Sequence, residues 1–150
     1  MNDHNYMWEA LLEAKKAFTK GEIPIGAVIV QNGQIIARNH NRREELHDPT
    51  AHAEILVLRE AGKVLGGWRL PETTLYVTIE PCPMCAGALI QARVTRVVYG
   101  ARDSKAGAVH SLYSITTDER LNHRLEVSAG VLEDEARELM QQFFKLRRKR

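Results

Sequence analysis

Thr50-Ala51-His52-Ala53-Glu54 and Glu80-Pro81-Cys82-Pro83-Met84-Cys85 decide the reading of this chain. Cys82 and Cys85 are its two cysteines. Spaced three apart, they share one face of a helix. At a helix start the positive end of the dipole favours thiolate over thiol. Pro83 suits the first helical position, with Cys82 just before it. His52 and Glu54 are two apart, which would send them to different sides of a long helix. Both reach one ion only if His52 stands at the first turn, where Thr50 suits a cap. Three protein ligands with an open fourth position make a catalytic zinc, whereas four ligands close a structural one. Glu54 is then the carboxylate left free to move protons. Zinc lowers the pKa of its water to roughly 7, and the natural reaction is attack of hydroxide on an sp² carbon bearing an amino group, with loss of ammonia.

Plainer readings compete at each position. The cysteine pair also suits buried thiols or a redox dithiol. His52 also suits a packed core histidine, and His47 is near enough in sequence to replace it as a ligand. Glu54 also suits an ordinary first-turn acid favoured by the helix dipole. The His-x-Glu spacing and the prolines on both sides of Cys82 favour the metal.

The 150 residues predict one domain, 1–150, large enough for a continuous core without disulfide staples. A hydrophobic share of 44% and a charged share of 27% fit a soluble globular protein. A net charge of +2 does not by itself imply a nucleic-acid partner. No apolar run approaches the roughly 18 residues of a membrane span. Asp3, Glu9 and Glu13 interrupt any signal peptide. The expected location is the cytoplasm, with no membrane partner.

Met7, Ala10, Leu11, Ala14, Ala17 and Phe18 follow helical spacing, with Asn2 or Asp3 to cap and Gly21 to stop. Asn32-Gly33 between Ala27–Val30 and Gln34–Ala37 signals a hairpin. Residues 39–51 read as a loop. A helix from about Ala53 to Val64 has apolar residues nearly all round, which predicts burial. Strands follow at Thr73–Ile79 and Arg96–Tyr99, with a helix after Cys82 in which Ala86-Gly87-Ala88 predicts close approach to a neighbour. Residues 101–123 carry no clear period. Leu125–Val127 suits a last strand, and Ala136, Leu139, Met140, Phe143 and Phe144 form a last helical stripe. The helix crossovers predict parallel pairing among the later strands, beside the antiparallel hairpin.

His-x-Glu followed by Pro-Cys-x-x-Cys resembles the signature of the zinc-dependent nucleobase deaminases. Ile23-Pro24-Ile25-Gly26-Ala27-Val28, Tyr99-Gly100-Ala101-Arg102-Asp103, Asn122-His123-Arg124 and Phe143-Phe144 extend that resemblance to the bacterial tRNA-specific adenosine deaminases, from about residue 6 to residue 148. The resemblance implies an α/β fold of the cytidine deaminase-like kind, three layers α/β/α around a central mixed five-stranded sheet. It implies one Zn²⁺ per subunit on His52, Cys82 and Cys85, with Glu54 as proton shuttle. It implies that Asn41 and the Ala53 backbone N–H contact a flipped base, and that the substrate is adenosine at the wobble position of tRNA, with arginine tRNA the expected one. It also implies a homodimer that grips the anticodon stem-loop. Two positions depart from the family pattern: Pro83, where Val is more usual, and His110, where Gly is expected in a 103–113 loop taken to border the substrate.

Lys145, Arg147, Arg148, Lys149 and Arg150 form a basic end. It suits a solvated helix terminus, and with an RNA substrate it also suits phosphate contacts. Phe143 and Phe144 read first as packing residues, with Phe144 a candidate RNA contact. Two rival functions remain: a deaminase of a free base such as guanine or cytosine, and a non-catalytic RNA-binding module with a structural zinc. The basic end and Asn122-His123-Arg124 favour tRNA over a free base.

Overall fold

The computed structural model describes residues 1–148, so Lys149 and Arg150 of the basic end lie outside the described residues. A five-stranded sheet of order β2-β1-β3-β4-β5 forms the centre. Its strands are β1 (Gly26–Gln31), β2 (Gln34–His40), β3 (Thr73–Ile79), β4 (Arg96–Ala101) and β5 (Glu126–Ala129). β1 pairs antiparallel with β2 and with β3, and the β3–β4 and β4–β5 pairs are parallel. Asn32 and Gly33 turn the hairpin, both at positive φ (50° and 74°), the pair of left-handed residues that matches strand twist.

Helices α1 (Asp3–Thr19) and α5 (Glu133–Arg148) cover one face, and α3 (Ala53–Leu65) and α4 (Pro83–Ala92) cover the other. The alternation within each strand divides the core. Val28, Tyr76 and Val98 pack with Tyr6, Met7 and Ala10 of α1. Ile29, Leu75, Val77 and Val97 pack with Val57 and Ala61 of α3 and Leu89 and Ile90 of α4. The three-layer mixed sheet is the expected architecture. Asn2 caps α1 in a reciprocal capping box with Asn5, which satisfies backbone donors that a helix start leaves open.

Several local expectations are corrected. Residues 39–51 are not all loop. β2 runs on to His40 beside β1, and a one-turn helix α2 (Arg43–Leu46) follows. The buried Glu22 carboxylate holds α2 by accepting from the N–H groups of Glu44 and Glu45 at 3.1 and 2.7 Å. α3 is less buried than its composition suggests. Ala53, Leu56, Val57 and Ala61 face the core, but Val64 is exposed and Ile55 and Leu58 are half-buried. Among the described residues Gly87 meets no neighbouring atom within 4 Å, so it does not serve a close approach there. Thr50 does not cap α3: its hydroxyl donates to Asp48, in the turn that Asp48-Pro49-Thr50 makes.

Candidate metal centre and substrate cleft

The sheet's strand ends bring two helix starts together. β3 leads through Glu80-Pro81 to Cys82, which is the N-cap residue of α4, with Pro83 at its first position and Cys85 on its first turn. His52 is the N-cap residue of α3. No side chain caps either helix there, so both positive ends face the same point, and both stabilise anionic ligands.

His52 Nδ1 lies 3.6 Å from Cys82 Sγ and 3.5 Å from Cys85 Sγ, and all three ligand atoms lie within 4.8 Å of one another. A tetrahedral ion with about 2.3 Å to sulfur and about 2.05 Å to nitrogen imposes an N···S separation of about 3.5 Å. The donor set and its spacing therefore fit a metal ion. Among the described residues the cluster is His52, Cys82 and Cys85. His47 is not in it and instead ends α2 in a left-handed conformation, so the alternative ligand and a fourth protein ligand both fall away.

Protonation within the cluster is shared. Cys82 is held well below the ordinary thiol value, at about 4, by a hydrogen bond from Cys85 and a further one from His52. Cys85 is pushed up by the same contact and by burial, and His52 is raised by its bond to Cys82. Glu54, on the first turn of α3, is buried beside Cys85. Burial raises its carboxyl to about 7, against the opposing pull of its own backbone N–H and of His52. A group of this kind holds or releases a proton near neutrality.

His52, Glu54 and Cys82 line a cleft of about 860 Å³, while Cys85 is fully buried. Ile23, Ile25 and Asn41 make one wall, and the segment Ala101–Ala106 makes the other. Arg43, Arg102, Lys105, Arg137, Arg147 and Arg148 stand around it, with Met140 and Phe144 from α5. The cleft is near the upper end of the roughly 300–1,000 Å³ that holds a drug-sized ligand, more room than a single base requires. Asn41 is buried, and its side chain is held by long bonds of 3.3 Å, donating to Ile23 O and accepting from Arg43 N. Ala53 is fully buried at the first position of α3, where a helical N–H has no carbonyl one turn back to bond.

The other expected contacts divide. Phe144 reaches the cleft, whereas Phe143 is in the core, edge-on to Phe18. Lys145 is exposed and does not line the cleft. Only the first part of the 103–113 loop borders it. His110 lies outside the lining, with its ring bonded to the Tyr99 hydroxyl. His123 Nε2 donates to Val94 O at 2.7 Å, so it anchors a loop.

Glu80 was not legible as a site residue in the sequence. It is buried, and hydrogen bonds from Ser111 and from the backbone N–H groups of His110, Ser111 and Asp103 outweigh desolvation and hold its carboxyl at about 2. Its one sequence signal is an acid at the end of an apolar strand, immediately before Pro-Cys.

A mixed sheet carrying a His/Cys/Cys cluster on two helix starts, with a buried acid beside it, defines a deaminase. The MafB19-like deaminase family matches residues 1–148. A tRNA-specific adenosine deaminase of Bacillus subtilis (strain 168) is 55% identical over 148 residues, 99% of this chain and 92% of the relative. A solved tRNA:A34 deaminase, studied for A-to-I editing at the wobble position of transfer RNA, is 48% identical with a TM-score of 0.87, over 90% of this chain and 98% of that one. A solved guanine deaminase of Bacillus subtilis is 44% identical with a TM-score of 0.65, over 68% of this chain and 66% of that one. The chain belongs to the family of tRNA-specific adenosine deaminases.

Proposed function

We propose that this protein hydrolyses adenosine to inosine at the wobble position of tRNA, arginine tRNA being the expected substrate, with release of ammonia. The observation that carries the reading is the cleft itself. A cleft that holds His52 and Cys82 of the ligand set and the proton-carrying Glu54 is surrounded by Arg43, Arg102, Lys105, Arg147 and Arg148. A free base carries no negative charge for those cations to pair with, whereas an RNA loop presents phosphates around the base it extrudes.

His52, Cys82 and Cys85 would hold one Zn²⁺ per subunit. Bound there, zinc supplies a Lewis acid that makes water reactive at neutral pH. Glu54 takes one proton from the attacking water and passes it to the adenine ring nitrogen, then takes the proton of the new hydroxyl on the attacked carbon and gives it to the amino group, which leaves as ammonia as the C=O forms. Its raised pKa suits both halves of that task. Ala53 N–H and the Asn41 amide orient the base edge above Glu54. Phe144 offers an aromatic face to a neighbouring base, and Arg147 and Arg148 meet the anticodon-loop backbone.

The working form is a homodimer in the cytoplasm, whose reducing environment keeps both thiols available as ligands. A hollow lined by Ile55, Leu58, Gly62, Trp68, Ala88 and Ala92 on the outer side of α3 and α4 supports the dimer. No helix among the described residues is long and apolar enough to cross a membrane.

Incubation with a transcribed arginine tRNA bearing wobble adenosine, read as inosine by sequencing, tests the reading, with zinc content measured on the same preparation. Ammonia release from free guanine or cytosine with tRNA inert would replace it by a free-base deaminase.

A further inference from the structure

Glu80 stands between β3 and the ligand Cys82, and its side chain is only 3% exposed. Buried carboxylates are ordinarily balanced by cations. The partners of Glu80 are instead N–H and O–H groups of one loop. Oε1 accepts from Asp103 N–H at 3.0 Å and from the Ser111 hydroxyl at 2.6 Å. Oε2 accepts from the N–H groups of Val109, His110 and Ser111 at 3.1, 2.8 and 2.9 Å. One carboxylate thus joins the two ends of the segment 103–111. Gly107 leaves the room for it: a Cβ there would stand 2.3 to 2.5 Å from the carboxylate atoms. Next to it, Ala108 N–H donates to Pro81 O at 2.8 Å.

The consequence falls on the cleft. Arg102, Asp103, Ser104, Lys105 and Ala106 form its wall opposite Asn41. Within the wall the Asp103 carboxylate accepts from the N–H groups of Lys105 and Ala106 at 3.0 and 3.1 Å, which shapes the turn, but residues 102–106 bury little apolar surface that would hold that turn against the sheet. The tie to Glu80 fixes it relative to the strand end that also carries Cys82. We infer that Glu80 is a positioning residue for substrate binding, presenting Arg102 and Lys105 at a set place beside the metal cluster without touching the substrate. The inference rests on the tRNA reading above.

Glu80→Gln keeps the shape but replaces one oxygen by an amide that cannot accept from the loop. The KM for tRNA should rise about tenfold or more, with kcat within about threefold, and zinc per chain and melting temperature should show no matching loss. Neutralising Arg102 and Lys105 together should also raise KM in the wild type. In the Glu80→Gln background the same change should add much less, because the wall is already displaced. Gly107→Ala presses on the same carboxylate from the loop side and should reproduce the KM effect. Ser111→Ala removes one hydroxyl, keeps the fold, and should give a smaller rise of the same kind.

Full additivity between Glu80→Gln and the Arg102/Lys105 change would overturn the inference. So would an unchanged KM in Gly107→Ala and Ser111→Ala, or a loss in Glu80→Gln confined to zinc content or melting temperature. A wild-type chain that leaves tRNA unedited would sink the functional reading and this inference together. An active wild type with unmoved variants would sink the inference alone.

Discussion

His40 Nδ1 lies 3.1 Å from Glu13 Oε1, and both side chains are almost closed to solvent. The contact joins β2 to α1 at the foot of the wall that carries Asn41. Lys20 Nζ stands 3.2 Å from the other ring nitrogen. That nitrogen accepts from the ammonium, so the proton of the neutral ring is on Nδ1 and is donated to Glu13. Lys16 and Arg38 donate to the second carboxylate oxygen at 2.7 and 2.9 Å.

Acid should therefore destabilise the protein through this pair. Burial alone would raise Glu13, but the bonds from Lys16, His40 and Arg38 outweigh it and hold the carboxyl at about 2. Burial also lowers His40 below its ordinary 6.5, more than Glu13 raises it. Both folded-state values lie below the unfolded ones, so each contribution is complete above the unfolded pKa and is lost as pH falls. The decline should start below about pH 6.5 with His40 and continue from about pH 4.5 towards pH 2 with Glu13. Glu13→Gln should cost about 3 kcal/mol at pH 7 and flatten the slope by up to about 1.4 kcal/mol per pH unit in the lower window. Urea midpoints from pH 3 to pH 8 measure this, and an identical pH slope in the variant would refute it.

Glu54→Gln should lower kcat by about 10²- to 10⁴-fold while keeping zinc and fold. Its carboxyl is unfavourably buried, so the neutral amide should leave the melting temperature equal or higher, as expected where activity is maintained against stability. A fully active variant would remove the proton shuttle from Glu54.

Zinc retention should weaken as pH falls. His52 must be neutral and both thiols deprotonated to bind, and Cys85 keeps its proton in the metal-free chain. Zinc binding should therefore release protons, visible as a buffer-dependent heat in calorimetry. Chelation should lower the melting temperature, because an ion that binds only the folded chain stabilises it by mass action. Cys85→Ser should lower both affinity and proton release. Affinity that is constant from pH 6 to pH 8 would count against the ligand set.

The rim cations should not contribute equally. Arg147 and Arg148 face the cleft, and Lys145 does not. Each phosphate contact removed should reduce the slope of log affinity against log salt by about 0.7 to 0.9. Arg147→Ala and Arg148→Ala should each do so, and Lys145→Ala should leave the slope close to the wild-type value. Equal slopes for all three variants would mean a diffuse basic end and no phosphate track along the cleft.

The sequence was most legible where one local rule acts alone. The Asn32-Gly33 hairpin, the strand Thr73–Ile79 and the Cys82-Pro83 helix start each follow from turn, alternation or capping chemistry, and each is where it was expected. The cluster was legible for the same reason, since ligand type and spacing over a few residues nearly define it. What escaped was set by distant partners. α2 forms because Glu22, from another segment, accepts its first N–H groups. The loop 103–111 has no period because its order comes from a carboxylate more than twenty residues away. Phe143 and Phe144 are neighbours with opposite fates, decided by whether α1 lies behind them.

The outer face of α3 and α4 supplies the last prediction. Trp68 is 62% exposed, and with it the half-buried Ile55 and Leu58 and the small Gly62, Ala88 and Ala92 line one hollow. Apolar residues on α3 that miss the core were the surprise of that helix, and small residues on α4 lie next to them. A shallow apolar hollow with an exposed tryptophan, flanked by Arg69 and Arg93 over its ring, has the composition of an interface core with a cationic rim. Leu58→Asp puts an unpaired charge at its centre, which a dimer here would have to bury at high cost. The wild type should elute and scatter as twice 17.0 kDa, and Leu58→Asp as a monomer with its zinc retained. Trp68→Ala should weaken the dimer by a smaller, concentration-dependent amount. A Leu58→Asp chain that stays dimeric would place the interface elsewhere on the molecule.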